Sequence, residues 1–274
     1  MKKTLITAVM LSVLLSFIAC SSQNGADIPK QQDYGVFLSV TEDLEALGDY
    51  KTVVIDAAYF DEEEITSFKE SGHKVYSYIN VGSLEDFRDY YDDYKDLGLG
   101  RYEHWDEEIW IDVSDERWQD FILNEVAKDL SEKGIDGFFV DNCDVYFVYP
   151  TPEILDGLTV IMQGLRSTGL DVVINGGDAF MDAYLENGGK YDEVITGINQ
   201  ESVFSKILWD KDRFSKASKE DKEYFTDYIE RYSGLGADIY LLEYTTDEKL
   251  IKEIDEYCRQ KGYFYYVSDS LELN

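Results

Sequence analysis

The chain has 274 residues, with 57 Asp and Glu against 25 Lys and Arg and a formal net charge of -32 at pH 7. A field so negative repels polyanions and excludes nucleic acid as a partner. Two histidines in the whole sequence leave no ligand cluster for zinc and no ready base for a serine triad.

The sequence opens Met1-Lys-Lys-Thr, continues through an apolar run from Leu5 to Ala19, and reaches Cys20 after a small residue. A basic start, a short apolar stretch and a small residue before cysteine describe a bacterial lipoprotein signal, which is removed before folding. The expectation is a signal peptide over 1–19, lipidation of Cys20, and a short polar tether over 20–32. That places the protein outside the cytoplasm, held to a membrane through an N-terminal lipid only. No later stretch is long and apolar enough to cross a bilayer. Residues 33–274 suit one large core, and a single monomeric domain is expected. Cys143 and Cys258 lie far apart in sequence and form no disulfide framework, so Cys143 reads as a buried thiol.

From Asp33 onward, strand-like runs alternate with helical stretches. Strands are expected to start at Tyr34, Thr52, Lys74, Ile135, Asp171, Glu193, Asp238 and Tyr263. Thr41–Gly48 and Asp61–Gly72 read as helices with N-cap candidates at one end and glycine at the other. The stretch from Gly82 to Val113 is a long loop rich in Tyr, Trp, Asp and Glu, the kind that forms a lid or binding wall. Within it, Glu108-Ile-Trp-Ile-Asp-Val113 is expected to be an extended return. Ser114–Lys133 carries Trp118, Phe121, Ile122, Val126 and Leu130 near helical spacing. Thr151–Thr168 is a helix with Pro152 in its first turn, where no intrahelical donor is lost. Eight β/α units predict a single-domain (β/α)8 TIM barrel with a long loop after strand three. A doubly wound open sheet is the alternative, without a dinucleotide fingerprint or P-loop to favour it.

The most informative stretch is Asp136-Gly-Phe-Phe-Val-Asp-Asn-Cys-Asp-Val-Tyr146. Its apolar run suits a strand buried on both faces, and it stops in carboxylates at Asp141 and Asp144. In a barrel, the C-terminal strand ends form the floor of the active site. An Asp that merely caps the next helix is the plainer reading. The same strand end supplies Asn142 and Tyr146, and the other strand ends supply Asp56, Tyr78, Asn80, Glu85, Asn175, Glu201 and Glu243, all candidate site residues. Carboxylates with Tyr and Asn suit glycoside hydrolysis, in which one attacks or activates water and another donates a proton. Calcium or magnesium held by Asp141, Asp144 and Glu201 is the competing chemistry. No cofactor is expected.

Ser77-Tyr-Ile-Asn-Val-Gly-Ser-Leu-Glu-Asp-Phe-Arg88, Trp110-Ile-Asp-Val113, the Asp136–Tyr146 stretch and Asn199-Gln-Glu201, in this order, resemble glycoside hydrolase family 114. That family contains endo-α-1,4-polygalactosaminidases, which are TIM barrels. The resemblance implies that Asp141 and Glu201 form the catalytic pair. It also implies hydrolysis of an α-linked amino-sugar polysaccharide, a cationic polymer that an acidic chain would attract. Leu84 stands where the family usually has an aromatic, and the charged tract Lys206–Glu223 looks like a local insertion. A non-catalytic cell-surface glycan-binding lipoprotein with a degenerate cleft is the alternative function.

Overall fold

The computed structural model describes residues 32–211 and 213–274. The expected signal peptide, the expected lipidation at Cys20 and the expected tether as far as residue 31 lie outside the described residues. Eight parallel strands follow one another around the sheet in chain order: β1 (Gln32–Phe37), β2 (Tyr50–Ile55), β3 (Lys74–Asn80), β4 (Gly137–Asp141), β5 (Asp171–Asn175), β6 (Gly197–Glu201), β7 (Asp238–Tyr244) and β8 (Phe264–Ser268). Ladder hydrogen bonds join each strand to the next. The seam between β8 and β1 is closed by side chains, with the Phe37 and Tyr266 rings 5.2 Å apart, and by Ser39 N–H donating to the Leu273 carbonyl at 3.2 Å. The result is a nearly closed TIM barrel, as the alternation of strands and helices predicts.

The apolar runs become strands because they are covered on both faces, by the barrel interior and by the helical ring. Phe138, Phe139 and Val140 of β4 are fully buried. The interior at the N-terminal end is filled by tyrosines, with Tyr34 and Tyr240 rings 4.8 Å apart and Tyr76 beside them. Gly137 and Gly197 make room for this layer. A Cβ at Gly137 would lie 2.9 Å from the Tyr76 ring, and one at Gly197 would lie 3.2 Å from the Tyr240 ring. Buried tyrosine hydroxyls require partners, and Tyr76 Oη finds Asp171 Oδ2 at 2.9 Å.

Local signals set the helix ends. Asp61 opens Glu62–Glu70 with a complete capping box, and Thr151 accepts from Ile154 N ahead of Pro152–Ser167. The first expected helix is only a 3₁₀ turn, Leu44–Leu47. Ser114–Lys133 is helical but interrupted by a π turn, Ile122–Val126, between Glu116–Phe121 and Ala127–Glu132. Strand β6 starts at Gly197 rather than Glu193, because Tyr191–Glu193 closes a turn in which the Glu193 carboxylate accepts from Lys190 N and Tyr184 Oη.

The long loop after β3 is itself folded. Ser83–Glu85, Glu108–Ile111 and Gly98–Arg101 form a three-stranded antiparallel sheet, with Glu108–Ile111 in the middle. The stretch expected to be an extended return is therefore a true strand, stabilised by pairing on both edges, although it belongs to no part of the barrel. After β6, Ser205–Leu208 and Arg213–Lys216 pair as an antiparallel ribbon, and the helix Lys219–Leu235 follows.

Candidate active site

Three neighbouring strands carry the centre of the candidate site at the C-terminal end of the barrel. Val140 pairs with Ile174, and Asn175 pairs with Asn199, so Asp141, Asn175 and Asn199 share one level of the barrel. Glu201 stands two residues beyond Asn199 on the same face, because side chains alternate along a strand. The Asn175 amide bridges the two carboxylates, with Nδ2 donating to Asp141 Oδ1 at 2.9 Å and to Glu201 Oε1 at 2.8 Å. Its orientation is fixed from below. Asn199 Nδ2 donates to Asn175 Oδ1 at 2.7 Å, and Tyr34 Oη donates to Asn199 Oδ1 at 3.1 Å. Carboxylates only accept, so the amide must turn its NH2 toward them. Tyr244 Oη completes the group by donating to Glu201 Oε2 at 3.0 Å.

The backbone turns sharply just beyond each of these side chains. Asn142 has φ 65° and Ser202 has φ 55°, while Gly176 and Gly177 have φ 64° and 69°. Left-handed conformations in residues other than glycine cost about 1–2 kcal/mol, and such strain concentrates at functional sites. The turn at Asn142 lets its own N–H reach back to the Asp141 carboxylate. Gly82 is the other backbone requirement, since a Cβ there would lie 1.8 Å from the Asn142 carbonyl oxygen. Only glycine permits the chain leaving β3 to pass so close to the end of β4.

Electrostatics separate the two bridged acids. Burial pushes the Glu201 carboxyl up to about 7, with the neighbouring Asp141 charge adding to the effect against the bonds from Asn175 and Tyr244. Asp141 is also raised by burial, but the Asn175 amide and the Asn142 N–H oppose the shift. Two donors, the Asn175 amide and the Asn142 N–H, favour the Asp141 anion, and Glu201 is the group that retains a proton near neutrality. Asp144 is likewise pushed to about 7, by burial and then by Asp178 and Asp141, against a bond from the Gly177 N–H.

Two polar networks extend the site. In the first, Asn142 Nδ2 donates to Asn80 Oδ1 at 3.1 Å and Ser83 Oγ at 3.0 Å, while Tyr102 Oη donates to Asn142 Oδ1 at 3.0 Å. Ser83 Oγ donates to Glu108, whose carboxyl is raised to about 7 by burial. In the second, Arg88 binds Glu85 Oε2 at 2.5 Å and Asp56 Oδ2 at 2.8 Å, and Tyr78 Oη donates to Glu85 Oε1 at 3.1 Å. Arg88 thus neutralises two buried acids at the root of the long loop. Asn80 and Asn142 belong to the first network and Asp56, Tyr78 and Glu85 to the second, while Asn175 stands between the two central acids.

Two expected site residues are placed elsewhere. Glu243 is fully buried and accepts from Phe204 N at 2.9 Å, Ser205 N at 2.8 Å and Ser205 Oγ at 2.6 Å. It sits on the outward face of β7, where it anchors the chain after β6, and its neighbour Tyr244 is the one that faces the cleft. Tyr146 lines a separate groove of about 410 Å³ with Pro152, Leu155 and Tyr184. Conversely, Glu108, Tyr102, Arg88 and Tyr34 were not singled out from the sequence. The alternation in Glu108-Ile-Trp-Ile111 was the available signal for Glu108, since a strand reading puts Glu108 and Trp110 on one face.

Other chemistries find no matching arrangement. Among the described residues, no group of three or more His, Cys, Asp or Glu side chains is arranged to hold a metal ion. The Asn175 NH2 also presents its positive end to both central carboxylates, which disfavours a cation between them. Cys143 is a buried thiol packed on Met162 Sδ at 3.9 Å, and His73 stacks on Phe68. No helix among the described residues is long and apolar enough to cross a membrane.

The comparisons with known proteins agree with this architecture. The glycoside hydrolase domain of PelA from Pseudomonas aeruginosa superposes with a TM-score of 0.72 at 18% identity, covering 88% of this chain and 95% of that one. Aspergillus fumigatus Ega3, solved in complex with galactosamine, superposes with a TM-score of 0.67 at 15% identity over 89% of this chain and 93% of its own. At such identities these likenesses concern the fold. A search of curated proteins gives no significant match. The model of glycoside-hydrolase family GH114 matches residues 18–270, nearly the whole sequence, and the chain is therefore a glycosidase that belongs to family GH114.

Proposed function

We propose that the protein cleaves an α-linked amino-sugar polysaccharide of the polygalactosamine type, acting within the chain by a two-carboxylate mechanism. The observation that carries this reading is the single amide shared by Asp141 and Glu201. Two acceptors on one NH2 group, with its hydrogens about 120° apart, lie about 5 Å from each other. That spacing supports retention of configuration, because inverting enzymes keep their carboxyl groups about 6.5–9.5 Å apart to admit water between them.

In this mechanism Asp141, ionised and held by the Asn175 amide and the Asn142 N–H, attacks the anomeric carbon. Glu201, still protonated, donates to the departing glycosidic oxygen. The resulting Glu201 carboxylate then takes a proton from the water that releases the sugar from Asp141, restoring both groups. Tyr244 and Asn175 steady Glu201 as its charge appears. Asp144, at the edge of the same cleft, and Glu108 on its wall offer carboxyl groups to a protonated sugar amine. The excess of acidic over basic residues strengthens the attraction for such a polymer.

The test is incubation with deacetylated and acetylated galactosamine and glucosamine polymers, read by mass spectrometry of the released oligosaccharides. The expected result is shortening of the deacetylated galactosamine polymer, with Asp141→Asn and Glu201→Gln each losing at least about 10³-fold in rate. Binding without any change in chain length would identify a glycan-binding protein instead, and an active Asp141→Asn variant would remove the proposed nucleophile.

A further inference from the structure

The two insertions stand on either side of the strands that carry the carboxylates. The three-stranded sheet emerges after β3 and returns before β4, while the ribbon follows β6. Asp141, Asn175 and Glu201 lie on β4, β5 and β6 between them. The roots of both insertions reach the cleft. Tyr102 contacts Asn142, the residue next to Asp141, and its ring lies 4.1 Å from Trp110. Phe214 of the ribbon lies 5.6 Å from the ring of Tyr244, which holds Glu201.

The tips of the insertions touch. His104 stacks on Trp209 with ring centroids 4.6 Å apart and planes 8° from parallel, and Trp105 meets Trp209 edge-on at 6.0 Å. The only other tryptophans, Trp110 and Trp118, are 7% and 0% exposed, whereas Trp105 and Trp209 are 39% and 38% exposed. Large aromatic rings left in water at the junction of two insertions do not serve the core. His104 also holds the left-handed region, at φ 74°, to present its ring. Glu103, Glu107 and Asp210, all exposed, flank these rings in sequence.

The geometry points to a sugar-stacking subsite formed by His104, Trp105 and Trp209 at the rim of the cleft, with the flanking carboxylates selecting a cationic amino-sugar unit of the polymer. An aromatic face suits the apolar face of a pyranose ring, and an acidic border suits its amine. Carried by the tips of the insertions rather than by the strand ends that hold Asp141 and Glu201, such a subsite holds long chains and contributes little to a short one. It rests on the glycosidase reading above and adds to it a preference for polymer length.

The test uses the mature chain and α-1,4-linked galactosamine oligomers of increasing length. Trp105→Ala and Trp209→Ala are each expected to raise KM for the long oligomers about tenfold, equivalent to about 1.4 kcal/mol, the loss appearing in KM rather than kcat. Trp209→Phe should recover most of it by restoring a ring. In the inactive Asp141→Asn background, long oligomers should shield tryptophan fluorescence from acrylamide, and this protection should vanish in the Trp105→Ala Trp209→Ala double variant. Wild-type cleavage with KM unchanged in both alanine variants and no shielding would overturn the subsite alone. Failure of the wild type to bind or cleave any oligomer would overturn the functional reading with it.

Discussion

Replacing Asn175 by alanine probes the centre of the site without touching either proposed catalytic acid. The change removes bonds of 2.9 Å to Asp141 and 2.8 Å to Glu201 and strands the Asn199 amide that supported them. A hydrogen bond to a charged group is worth about 1.5–3 kcal/mol, but the two do not simply add during the reaction. Asp141 loses charge as it attacks while Glu201 gains it, so the amide gives up on one side part of what it gains on the other. The larger effect is geometric, since misplacing a reacting group by about 1 Å costs about 10²-fold, or about 2.7 kcal/mol. The pH profile supplies a second readout. Asn175 lowers the proton affinity of both acids, so its loss moves both apparent pKa values of the pair upward, and the activity bell shifts to higher pH. Steady-state rates across pH 4–9 on one polymer, with folding checked by circular dichroism, measure both effects. An Asn175→Ala enzyme within threefold of wild type and with an unmoved profile would refute the bridging role.

Two further outcomes concern stability. Arg88→Met leaves Asp56 and Glu85 buried, each 5% exposed, without their shared counter-charge. Breaking a buried ionic group in this way costs about 3–5 kcal/mol, so the urea midpoint should fall sharply. Adding Asp56→Asn and Glu85→Gln should recover part of the loss, and an unchanged midpoint in the single variant would contradict the network. The second outcome is a stability that declines as pH rises. Glu201, Asp144, Glu108 and Glu243 are each raised to about 7 in the folded chain, whereas free carboxyls ionise near about 4. Between these limits the folded state binds more protons, so this stabilisation is complete below about pH 4 and is lost as pH rises through about 7. Thermal melts should give a lower Tm at pH 8 than at pH 5.5, with a shallower slope in Asp144→Asn, and a Tm rising over that range would refute the assignment.

The strands of the barrel were legible because their signal is local. A run such as Phe138-Phe-Val140, buried on both faces, is apolar at every position and ends where the chain reaches solvent. The cap at Asp61 was legible for the same reason, because its determining atoms lie within a few residues, whereas Thr41 caps no helix and the chain there forms only the turn Leu44–Leu47. The motif around Asp141 and the family it resembles also came from contiguous residues, and the family match over residues 18–270 bears out that resemblance.

Contacts between distant segments were not legible. Nothing in the sequence shows that Asn175 stands between Asp141 and Glu201, since that depends on the register of three parallel strands and on a support reaching back to Tyr34. A strand end offered Glu243 as a candidate, and only the closed barrel decided that its neighbour Tyr244 reaches Glu201 while Glu243 is bound by Phe204 and Ser205. Glu108 was hidden because Glu108–Ile111 becomes a strand only by pairing with Ser83–Glu85 and Gly98–Arg101, and cross-strand partners set β structure more than local preference does. Thus the sequence by itself determined the fold class and the family, and it named Asp141 and Glu201 as candidates. The tertiary structure decided that the Asn175 amide joins these two, because strand register and barrel closure bring together side chains that no local pattern connects.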